Sequence, residues 1–460
     1  WGMRVWALLL LLASPVAGWS DTRPNIIFML SDDQGWGGLS VAMHPDVPGS
    51  RGAAFNTPSL EKMASQGMRF SAAYAPAPVC SPTRISLQTG KSPPALHWTK
   101  AAPPETGRKL TEPVNIKNIS SAEVTVGDLL RKAGYATAHY GKWHIRGGGP
   151  AQHGYDESDG DTGNEEAYKF KDPNPVDIFG MARRAAAFME KNKKANKPFF
   201  IQLSWNALHA PGNALKSTLA KYQKLGNGKN AERAAITEDL DTGVGMVLKA
   251  VDDLGLAGDT YIIYMADNGA GGGKTALSGG KGDLYEGGIR VPFIVRGPGV
   301  KANSWCHVRV VGYDLFPTFC EWGKVSASAM PKGLEGGSIA SLMANGGKGE
   351  VKRVREEMVF HFPHYQGDSP HSAIYLGNLK LIRFYEDNKQ VLFDLSRDLR
   401  EQGDLSKKMP AETAKLAKKL DDYLVAVKAQ MPTPNAQYDP RRATPPQQKK
   451  GKDKKAEKAG

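Results

Sequence analysis

The chain has 460 residues, 40% of them hydrophobic, and a formal net charge of +13. A chain of this length can build one large hydrophobic core with a smaller appended unit, and its ordinary composition excludes a protein that is disordered throughout. Nucleic-acid binding is not indicated, because the body of the chain has no basic stripe interleaved with aromatic residues.

The first twenty residues differ from the rest of the chain. Arg4 precedes an apolar run from Val5 to Ala13, and small residues follow as far as Gly18. This pattern predicts a secretory signal peptide over residues 1–20, because the run is shorter than the roughly 20 apolar residues of a membrane span. We therefore expect an exported protein, periplasmic or extracellular, with no integral membrane segment once the signal is removed. A buried amino-terminal helix is the alternative.

Five short apolar runs predict strands that are buried on both faces. They lie at residues 25–30, 135–140, 198–204, 261–265 and 291–295. Amphipathic stretches between them predict helices at residues 59–66, 124–133, 177–192 and 232–254. This alternation predicts an α/β fold with a large mixed, mostly parallel sheet sandwiched by helices.

The pattern changes towards the carboxyl terminus. Four short runs predict a smaller antiparallel sheet, and an amphipathic helix over residues 411–429 is expected to pack on it. The runs are residues 358–362, 372–376, 380–384 and 391–395. We therefore divide the chain into an α/β domain over residues 21–345 and a C-terminal α+β subdomain over residues 346–432.

Residues 433–460 are predicted to form a basic, disordered tail. Residues 441–460 alone hold eight Lys and Arg against two acids, and so contribute +6 of the net charge. Two long loops are also predicted, at residues 91–122 and 145–175, and loops of this length in compact domains are often functional.

Polar residues of particular types follow four of the predicted strands. They are Asp32, Asp33, Lys142, His144, His209, Asp267 and Asn268. Ligands in folds of this class bind beyond the carboxyl ends of the strands, so we expect these side chains to share one edge of the sheet. The carboxylate and amide oxygens are hard ligands that suit Ca²⁺ or Mg²⁺ rather than zinc, and a cage of four protein oxygens favours Ca²⁺.

Two stretches match other motifs only in part. The run GGGKT at residues 271–275 lacks the first glycine of a phosphate-binding loop, since Asn268 stands at that position. The acidic run DESDGDTGNEE, residues 156–166, lacks the Gly and Glu that an EF-hand calcium loop requires, and we interpret it as a solvated loop.

Cysteine occurs only at Cys80, Cys306 and Cys320. An odd number of cysteines in an exported protein leaves one without a partner. Cys306 and Cys320 are candidates for a disulfide, which the sequence neither requires nor excludes, and Cys80 is left over in either case. Pro82 is tolerated in the first turn of a helix that runs to Gly90, so Cys80 is expected at a helix N-terminus, where backbone N–H groups favour anions.

Four blocks of the sequence resemble the signatures of the type I, formylglycine-dependent sulfatases, which are arylsulfatase-like members of the alkaline phosphatase superfamily. The blocks are PNIIFMLSDDQGW at residues 24–36, CSPTR at 80–84, GYATAHYGKWH at 134–144 and GGKGDLYEGGIRVP at 279–292. They occur in the order of that family, and the likeness extends from about residue 22 to 430, including a C-terminal sheet segment at Leu392–Leu395.

The resemblance implies that a separate maturing enzyme oxidises Cys80 to formylglycine (3-oxoalanine). One hydroxyl of its hydrate then attacks sulfur, and deprotonation of the other expels sulfate. The resemblance also implies a Ca²⁺ ion held by Asp32, Asp33, Cys80 after its conversion, Asp267 and Asn268; Mg²⁺ is the alternative.

The family pattern further implies roles for the cationic and titratable residues. Arg84 would point back at the hydrate, and Lys142 and Lys281 would hold a sulfate oxygen. His144 would take the proton of the hydrate during sulfate release, and His209, with Lys281, would protonate the leaving alcohol.

These residues predict a sulfuric ester hydrolase, and export together with the 91–122 loop favours a sulfated carbohydrate over a small aryl ester as the substrate. A phosphonate or phosphodiester hydrolase on the same scaffold is one alternative. A non-catalytic binder of sulfated glycans is another, and it would keep Cys80 as a thiol.

Overall fold

The structure is a computed structural model that describes residues 23–223, 228–271 and 276–440. The predicted signal peptide over residues 1–20 lies outside the described residues.

The described residues form strands and helices in the alternation that the sequence predicts. The strands are β1 Asn25–Ser31, β2 Met68–Phe70, β3 Ala73–Tyr74, β4 Leu110–Thr111, β5 Ala136–Gly141, β6 Glu157–Ser158, β7 Phe199–Ser204, β8 Thr260–Ala266, β9 Phe293–Arg296, β10 Ser304–Cys306, β11 Val310–Val311, β12 Met358–Phe362, β13 His371–Leu376, β14 Leu379–Phe384, β15 Gln390–Asp394 and β16 Thr433–Pro434. The helices are α1 Pro58–Ser65, α2 Cys80–Thr89, α3 Val126–Lys132, α4 Ile178–Lys194, α5 Lys216–Tyr222, α6 Lys229–Asp253, α7 Glu286–Ile289, α8 Leu315–Trp322, α9 Ala340–Ala344 and α10 Pro410–Ala426.

The main sheet has the strand order β10-β2-β9-β8-β1-β7-β5-β6. Strands β8, β1, β7, β5 and β6 run parallel, whereas β9 is antiparallel to both of its neighbours. The sheet is therefore mixed and mostly parallel, as the sequence predicts.

Helices cover both faces of the main sheet because its central strands are apolar on both sides. In β1, Ile26 and Phe28 belong to the core that packs on α2, α3 and α8, while Ile27 and Met29 belong to the core that packs on α1, α4 and α6. This alternation follows from the period of two along a strand. Helix α2 is buried along all ten residues, so it lies inside the molecule rather than on its surface.

The C-terminal sheet is an antiparallel meander in the order β12-β13-β14-β15. One face packs on α10, where Leu416 and Leu420 meet Ile374 and Leu381. The other face packs on the α/β part of the chain, and its Phe360 joins a cluster with residues near α2 and α7. The smaller antiparallel sheet with its helix is thus confirmed.

The acidic run at residues 156–166 differs from the prediction of a solvated loop. Glu157–Ser158 forms β6, which pairs in parallel with β5 at the edge of the main sheet. The carboxylate of Asp156 accepts a hydrogen bond from the Thr137 N–H at 3.1 Å, so an acidic residue here completes the backbone pairing of the sheet edge.

The prediction of a disordered tail from residue 433 onwards is wrong for its first residues. Thr433–Pro434 pairs with Leu110–Thr111 as a two-stranded ribbon, and the Asn435 side chain donates to the Arg108 carbonyl. Backbone pairing with the 91–122 loop is therefore what orders this stretch. Residues 441–460 lie outside the described residues.

Cys306 and Cys320 are separate buried thiols, and burial raises their pKa values to about 11 and about 12. None of the helices in the described part of the chain combines the length and the apolar character needed to cross a membrane.

Candidate active site

The predicted site residues lie where four adjacent parallel strands end. Strands β8, β1, β7 and β5 are neighbours in the sheet, and their last residues are in register at one edge. The residues that follow these strand ends therefore lie close together, as expected for the carboxyl ends of a parallel sheet.

Three carboxylates meet at this edge. Oxygen atoms of Asp32, Asp33 and Asp267 all lie within 4.8 Å of one another. Asn268 joins them, because its Nδ2 donates to Asp33 Oδ1 at 2.7 Å. Oδ1 of Asp32 and Oδ1 of Asn268 are buried and accept no hydrogen bond from the described residues. A set of hard oxygen atoms with two unsatisfied acceptors fits a divalent cation such as Ca²⁺ or Mg²⁺.

Three cations surround the carboxylates. The Arg84 guanidinium donates to Asp267 Oδ2 at 2.8 and 3.1 Å, and the Lys142 ammonium pairs with Asp32. Lys281 Nζ lies 2.7 and 2.9 Å from the two carboxylate oxygens of Asp33. Each buried acid therefore has a cationic partner, which offsets the cost of removing it from water.

The carboxylates differ in acidity because their neighbours differ. Burial raises the pKa of Asp32, but Lys142 and Arg84 act against it and hold that pKa well below its usual range. Burial and the charge of Asp32 raise the pKa of Asp267. Burial lowers the pKa of Lys281, whereas Asp33 overcomes this effect and holds it above its ordinary value, so Lys281 is a fixed positive charge.

The two lysines of the site differ in exposure. The Lys142 side chain is fully buried against Asp32, whereas 16% of the Lys281 side chain is exposed. Both lysines are predicted to hold a sulfate oxygen, and of the two only Lys281 has part of its side chain accessible to solvent.

Cys80 is the first residue of α2, as the sequence predicts, and is 3% exposed. Helix α2 ends at Gly90, whose left-handed φ of 69° forms the C-cap. The side chain of the N-cap residue, Val79, makes no capping hydrogen bond, so the positive end of α2 is left for an anion. Burial lowers the pKa values of Arg84 and Lys281, but nearby acidic groups hold both above their ordinary values. For Arg84 these groups are Asp267, Asp32 and Cys80, and for Lys281 they are Asp33, Cys80 and Asp32, so Cys80 lies within electrostatic range of both cations.

His144 is held in a left-handed backbone conformation with φ 59°. Its N–H donates to the Thr162 carbonyl at 2.8 Å, and its ring contacts the Ser81 hydroxyl. Burial, Lys142 and Arg84 together lower the pKa of His144 to about 3. The imidazole is therefore neutral near pH 7, with one ring nitrogen unprotonated.

His209 lies on the loop after β7, half-buried, with Nδ1 3.0 Å from the Ala210 carbonyl. Two backbone hydrogen bonds hold this loop to Asp32. The Asp32 N–H donates to the Ala207 carbonyl at 2.8 Å, and the Asp32 carbonyl accepts from the Leu208 N–H at 2.6 Å. Burial raises the pKa of Asp32, whereas Lys142, Arg84, Lys281 and, as the smallest contribution, His209 lower it, so the His209 ring is within electrostatic range of that carboxylate.

A cavity of about 530 Å³ opens beside these groups. Ser81 and His144 line it from the site, and both long loops form its walls. The lining residues from the loops include Trp98, Lys100, Asn115, Lys117, Arg146, Asp161, Glu165 and Glu166. A larger cavity of about 1060 Å³ lies between the C-terminal sheet and the β10–β2 edge, and none of the predicted site residues line it.

The family assignment rests on two matching models. Residues 24–325 match the family model described as sulfatase. The chain belongs to the sulfatase family. Residues 280–430 match a second model, described as N-sulphoglucosamine sulphohydrolase, C-terminal. As a sulfatase, the protein is a sulfuric ester hydrolase.

Individual sulfatases resemble this one over most of its length. The N-acetylgalactosamine-6-sulfatase of Sus scrofa is 28% identical over 78% of this chain and 72% of its own length. The crystal structure of Ps i-CgsB in complex with k-i-k-neocarrahexaose has a TM-score of 0.74 and 23% identity, over 88% of this chain and 93% of that chain. The structure of BT4656 in complex with its substrate, D-glucosamine-2-N,6-O-disulfate, has a TM-score of 0.68 and 20% identity, over 88% of this chain and 98% of that chain. The two structures show the alkaline phosphatase-like fold that this sulfatase shares.

Three residues of the sulfatase site carry no signal that sequence reasoning can use. Arg233, on α6, donates to the Asp33 carbonyl at 2.8 Å, although in the sequence it is one charge in an amphipathic helix. Ser81 stands at an unspecified position of the Cys-x-Pro-x-Arg signature, and Thr162 lies in the acidic loop. Their positions follow only from the way distant segments pack together.

Proposed function

We propose that this sulfatase hydrolyses sulfate esters on a sulfated carbohydrate, with a nucleophile made by oxidation of Cys80 to formylglycine and with a bound Ca²⁺ ion. The observation that carries the proposal is the position of Cys80, which begins a buried helix beside the carboxylates and within electrostatic range of Arg84 and Lys281. A separate maturing enzyme would carry out the oxidation. We also propose that residues 1–20 direct export to the periplasm or the cell exterior.

The residues proposed to hold the ion are Asp32, Asp33, Cys80 after its conversion, Asp267 and Asn268. The free Oδ1 atoms of Asp32 and Asn268 support this choice, because a cation would satisfy both. When bound, Ca²⁺ supplies positive charge that lowers the pKa of the nucleophile and offsets the charge of sulfate. The hydrate of formylglycine supplies two hydroxyl groups on one carbon.

The remaining side chains have separate tasks in the proposed reaction. Lys281 holds a sulfate oxygen, because its ammonium is charged and partly exposed. Lys142, which is fully buried, holds Asp32 in its anionic form. Arg84, one helical turn after Cys80, fixes the orientation of Asp267 through two hydrogen bonds. Fixed charges of this kind stabilise negative charge as it develops.

Two histidines handle protons at opposite stages. We assign to His144, whose ring is neutral near pH 7 and has an unprotonated nitrogen, the proton that must leave the nucleophile when sulfate is released. His209, together with Lys281, gives a proton to the oxygen of the departing alcohol. The two rings lie on separate loops, which follow the neighbouring strands β5 and β7.

The cavity supports a carbohydrate as the leaving group. Its walls combine an apolar ring, Trp98, with hydrogen-bonding groups of both charges, such as Asn115, Arg146 and Glu165. Such a mixture suits a sugar, whose faces are apolar and whose rim carries hydroxyl groups. The names of the relatives point the same way, since one is an N-acetylgalactosamine-6-sulfatase and another structure holds a disulfated glucosamine as its substrate.

The test uses protein produced together with a sulfatase-maturing enzyme. Cys80→Ala is expected to abolish sulfate release from a panel of sulfated mono- and disaccharides while the protein stays folded. Cys306→Ala, which removes another buried thiol, should retain activity. Mass analysis of the peptide that contains residue 80 should show the aldehyde instead of the thiol. Full activity in Cys80→Ala, or faster turnover of phosphodiesters than of sulfate esters, would contradict the proposal.

A further inference from the structure

The Ser81 hydroxyl contacts two groups of the same histidine. Ser81 Oγ lies 2.9 Å from the His144 carbonyl oxygen and 3.2 Å from His144 Nδ1. Ser81 is 2% exposed, although both residues line the cavity of about 530 Å³. The two contacts join these residues directly, so the protons that satisfy them are the protons that Ser81 and His144 carry themselves.

Only one arrangement of protons satisfies both contacts. The carbonyl oxygen accepts and never donates, so the single hydroxyl proton of Ser81 must point to it. The lone pairs of Ser81 Oγ then remain for His144 Nδ1, which must carry its own proton to complete the second hydrogen bond. The opposite tautomer would turn the hydroxyl proton towards Nδ1 and leave two oxygen atoms 2.9 Å apart with no proton between them.

The tautomer decides what the other ring nitrogen can do. A neutral imidazole with its proton on Nδ1 has a free lone pair on Nε2. Within the described ranges, no residue forms a hydrogen bond with His144 Nε2, and His144 lines the cavity of about 530 Å³. The unprotonated nitrogen is thus available to a group bound in the site.

The backbone of His144 is fixed from a second direction. Its left-handed φ of 59° is costly for a residue other than glycine and persists only where the surroundings impose it. The Thr162 carbonyl, which accepts from the His144 N–H at 2.8 Å, and the Ser81 hydroxyl supply that constraint. The ring is therefore restrained by contacts on both sides of its backbone.

We propose that Ser81 is a positioning residue that selects the Nδ1–H tautomer of His144 and so presents Nε2 as the proton acceptor. Helix α2 would then supply both the nucleophile, at Cys80, and, one residue later, the group that orients its base. This inference deepens the proposed function and rests on the role of His144 given there.

The tautomer can be observed directly in the full-length protein. Uniformly ¹⁵N-histidine-labelled protein near neutral pH gives separate signals for protonated and unprotonated ring nitrogens, and His144→Gln identifies those of residue 144. The proposal expects a proton on Nδ1 and none on Nε2. A proton on Nε2 in the parent protein would overturn it without any variant.

Two substitutions at Ser81 separate positioning from simple packing. Ser81→Thr keeps the hydroxyl and should keep both the Nδ1–H signal and kcat. Ser81→Ala should populate the other tautomer and lower kcat about tenfold, with KM little changed, because one hydrogen bond of ordinary strength is lost. Each kcat is expressed per mole of formylglycine, measured by peptide mass, since Ser81 lies inside the motif that the maturing enzyme reads.

The outcomes distinguish this inference from the function on which it rests. An unchanged Nδ1–H signal in Ser81→Ala would overturn the positioning role of Ser81, whatever the rate. A changed tautomer with unchanged kcat would sustain the role of Ser81 and contradict the proton-accepting role of His144. A parent protein that contains formylglycine and hydrolyses none of the sulfated saccharides tested would contradict the proposed function, while the tautomer measurement would still decide the inference.

Discussion

The strongest indication of a cation site among the carboxylates is a pair of buried oxygen atoms, Oδ1 of Asp32 and Oδ1 of Asn268, which accept no hydrogen bond from the described residues. Asp32 uses its Oδ2 for Lys142 and Arg84, which leaves Oδ1 without a partner. The amide of Asn268 is oriented by its Nδ2, which donates to Asp33 Oδ1 and to the Gly269 carbonyl, so its Oδ1 must point the other way. Buried acceptors without donors are costly, and a cation that binds them regains that energy.

We therefore expect Ca²⁺ to stabilise the folded protein. Removing divalent ions with a chelator should lower the free energy of unfolding, and adding Ca²⁺ at 100 times its Kd should restore about 2.7 kcal/mol. Thermal or urea unfolding at fixed protein concentration measures the effect, with Mg²⁺ tested in parallel. Asn268→Ala should weaken the response to Ca²⁺, whereas the exposed Asn345→Ala should leave it unchanged. Equal responses in the two variants would exclude Asn268 as a ligand.

The 91–122 loop shows how a segment with little secondary structure acquires a fixed shape. Its Glu112 is buried and accepts hydrogen bonds from Lys100 Nζ at 2.9 and 3.0 Å and from His364 Nδ1 at 2.8 Å. His364 follows β12, so this cluster fastens the loop to the C-terminal sheet. Burial raises the pKa of Glu112, but the hydrogen bonds from His364 and Lys100 outweigh burial. The pKa therefore lies below its ordinary value, and the carboxylate remains charged. Lys100 and Trp98 of the same loop line the cavity, so the Glu112 cluster is connected to the proposed sugar site through Lys100.

Glu112→Gln should loosen this loop without touching the reacting groups. The amide cannot accept from Lys100 and His364 as the carboxylate does, and breaking a buried ion pair costs roughly 3–5 kcal/mol. We expect a lower free energy of unfolding, and a KM for a sulfated saccharide raised about tenfold, with KM for a small aryl sulfate little changed. Steady-state kinetics on both substrates and urea unfolding measure the two effects.

Glu105→Gln is the matched control in the same loop. Glu105 pairs with Arg108, and 38% of the Glu105 side chain is exposed, so this pair contributes less than the buried Glu112 cluster and nearer to the roughly 0–1 kcal/mol typical of exposed ion pairs. If Glu112→Gln and Glu105→Gln behave alike, or if both substrates lose affinity equally in Glu112→Gln, the loop does not shape the sugar site.

At the scale of the whole molecule, the predictable features are those that repeat or that belong to a motif. The strands that carry the site were accessible to prediction because they are apolar on both faces, and their observed ends lie within three residues of the predicted ones. The three-residue strands β2 and β10 were not, because such short runs have no measurable period. β6 was obscured by the acidic residues on either side of it, Asp156 and Asp159, whose carboxylates accept hydrogen bonds from backbone N–H groups.

The site follows the same division. The residues after the strand ends share one edge because parallel strands end together, which the sequence pattern is sufficient to predict. The Glu112–His364 contact joins residues 252 positions apart, and the Ser81–His144 contact joins residues 63 apart. No periodicity or local motif encodes such pairs. The first depends on how the 91–122 loop packs on the C-terminal sheet, and the second on how α2 packs on the loop after β5.

A buried ionic cluster connects the C-terminal sheet to the active-site loop. Glu286, the first residue of α7, accepts hydrogen bonds from Tyr375 at 2.6 Å and from Lys380 at 3.0 Å, and pairs with Arg290 at 2.9 Å. Glu401 binds the same Lys380 at 2.6 Å and accepts from the Glu286 N–H at 2.7 Å. Helix α7 directly follows the loop that bears Lys281, so the cluster connects the C-terminal sheet to the segment that carries this lysine.

The cluster should make the stability of the protein depend on pH through Glu401. Burial raises the pKa of Glu401 to about 7; Lys380 opposes this shift and Glu286 adds to it. In the unfolded chain the same carboxyl has its ordinary pKa of 4.5. Between these two values the folded state binds more protons than the unfolded state, so the contribution of Glu401 to stability falls as the pH rises, by at most about 1.4 kcal/mol per pH unit.

Glu401→Gln removes this titration while keeping the size of the side chain. The free energy of unfolding of the parent, minus that of the variant, should decrease from about pH 5 to about pH 7 and then level off. Urea unfolding at several pH values in that range measures the difference, which cancels the titration of all other groups. Glu356→Gln, an exposed acid, should give a difference that does not change with pH. A flat difference for Glu401→Gln as well would mean that its carboxyl titrates alike in the folded and unfolded states, and the cluster would then hold the two sheets together without responding to pH.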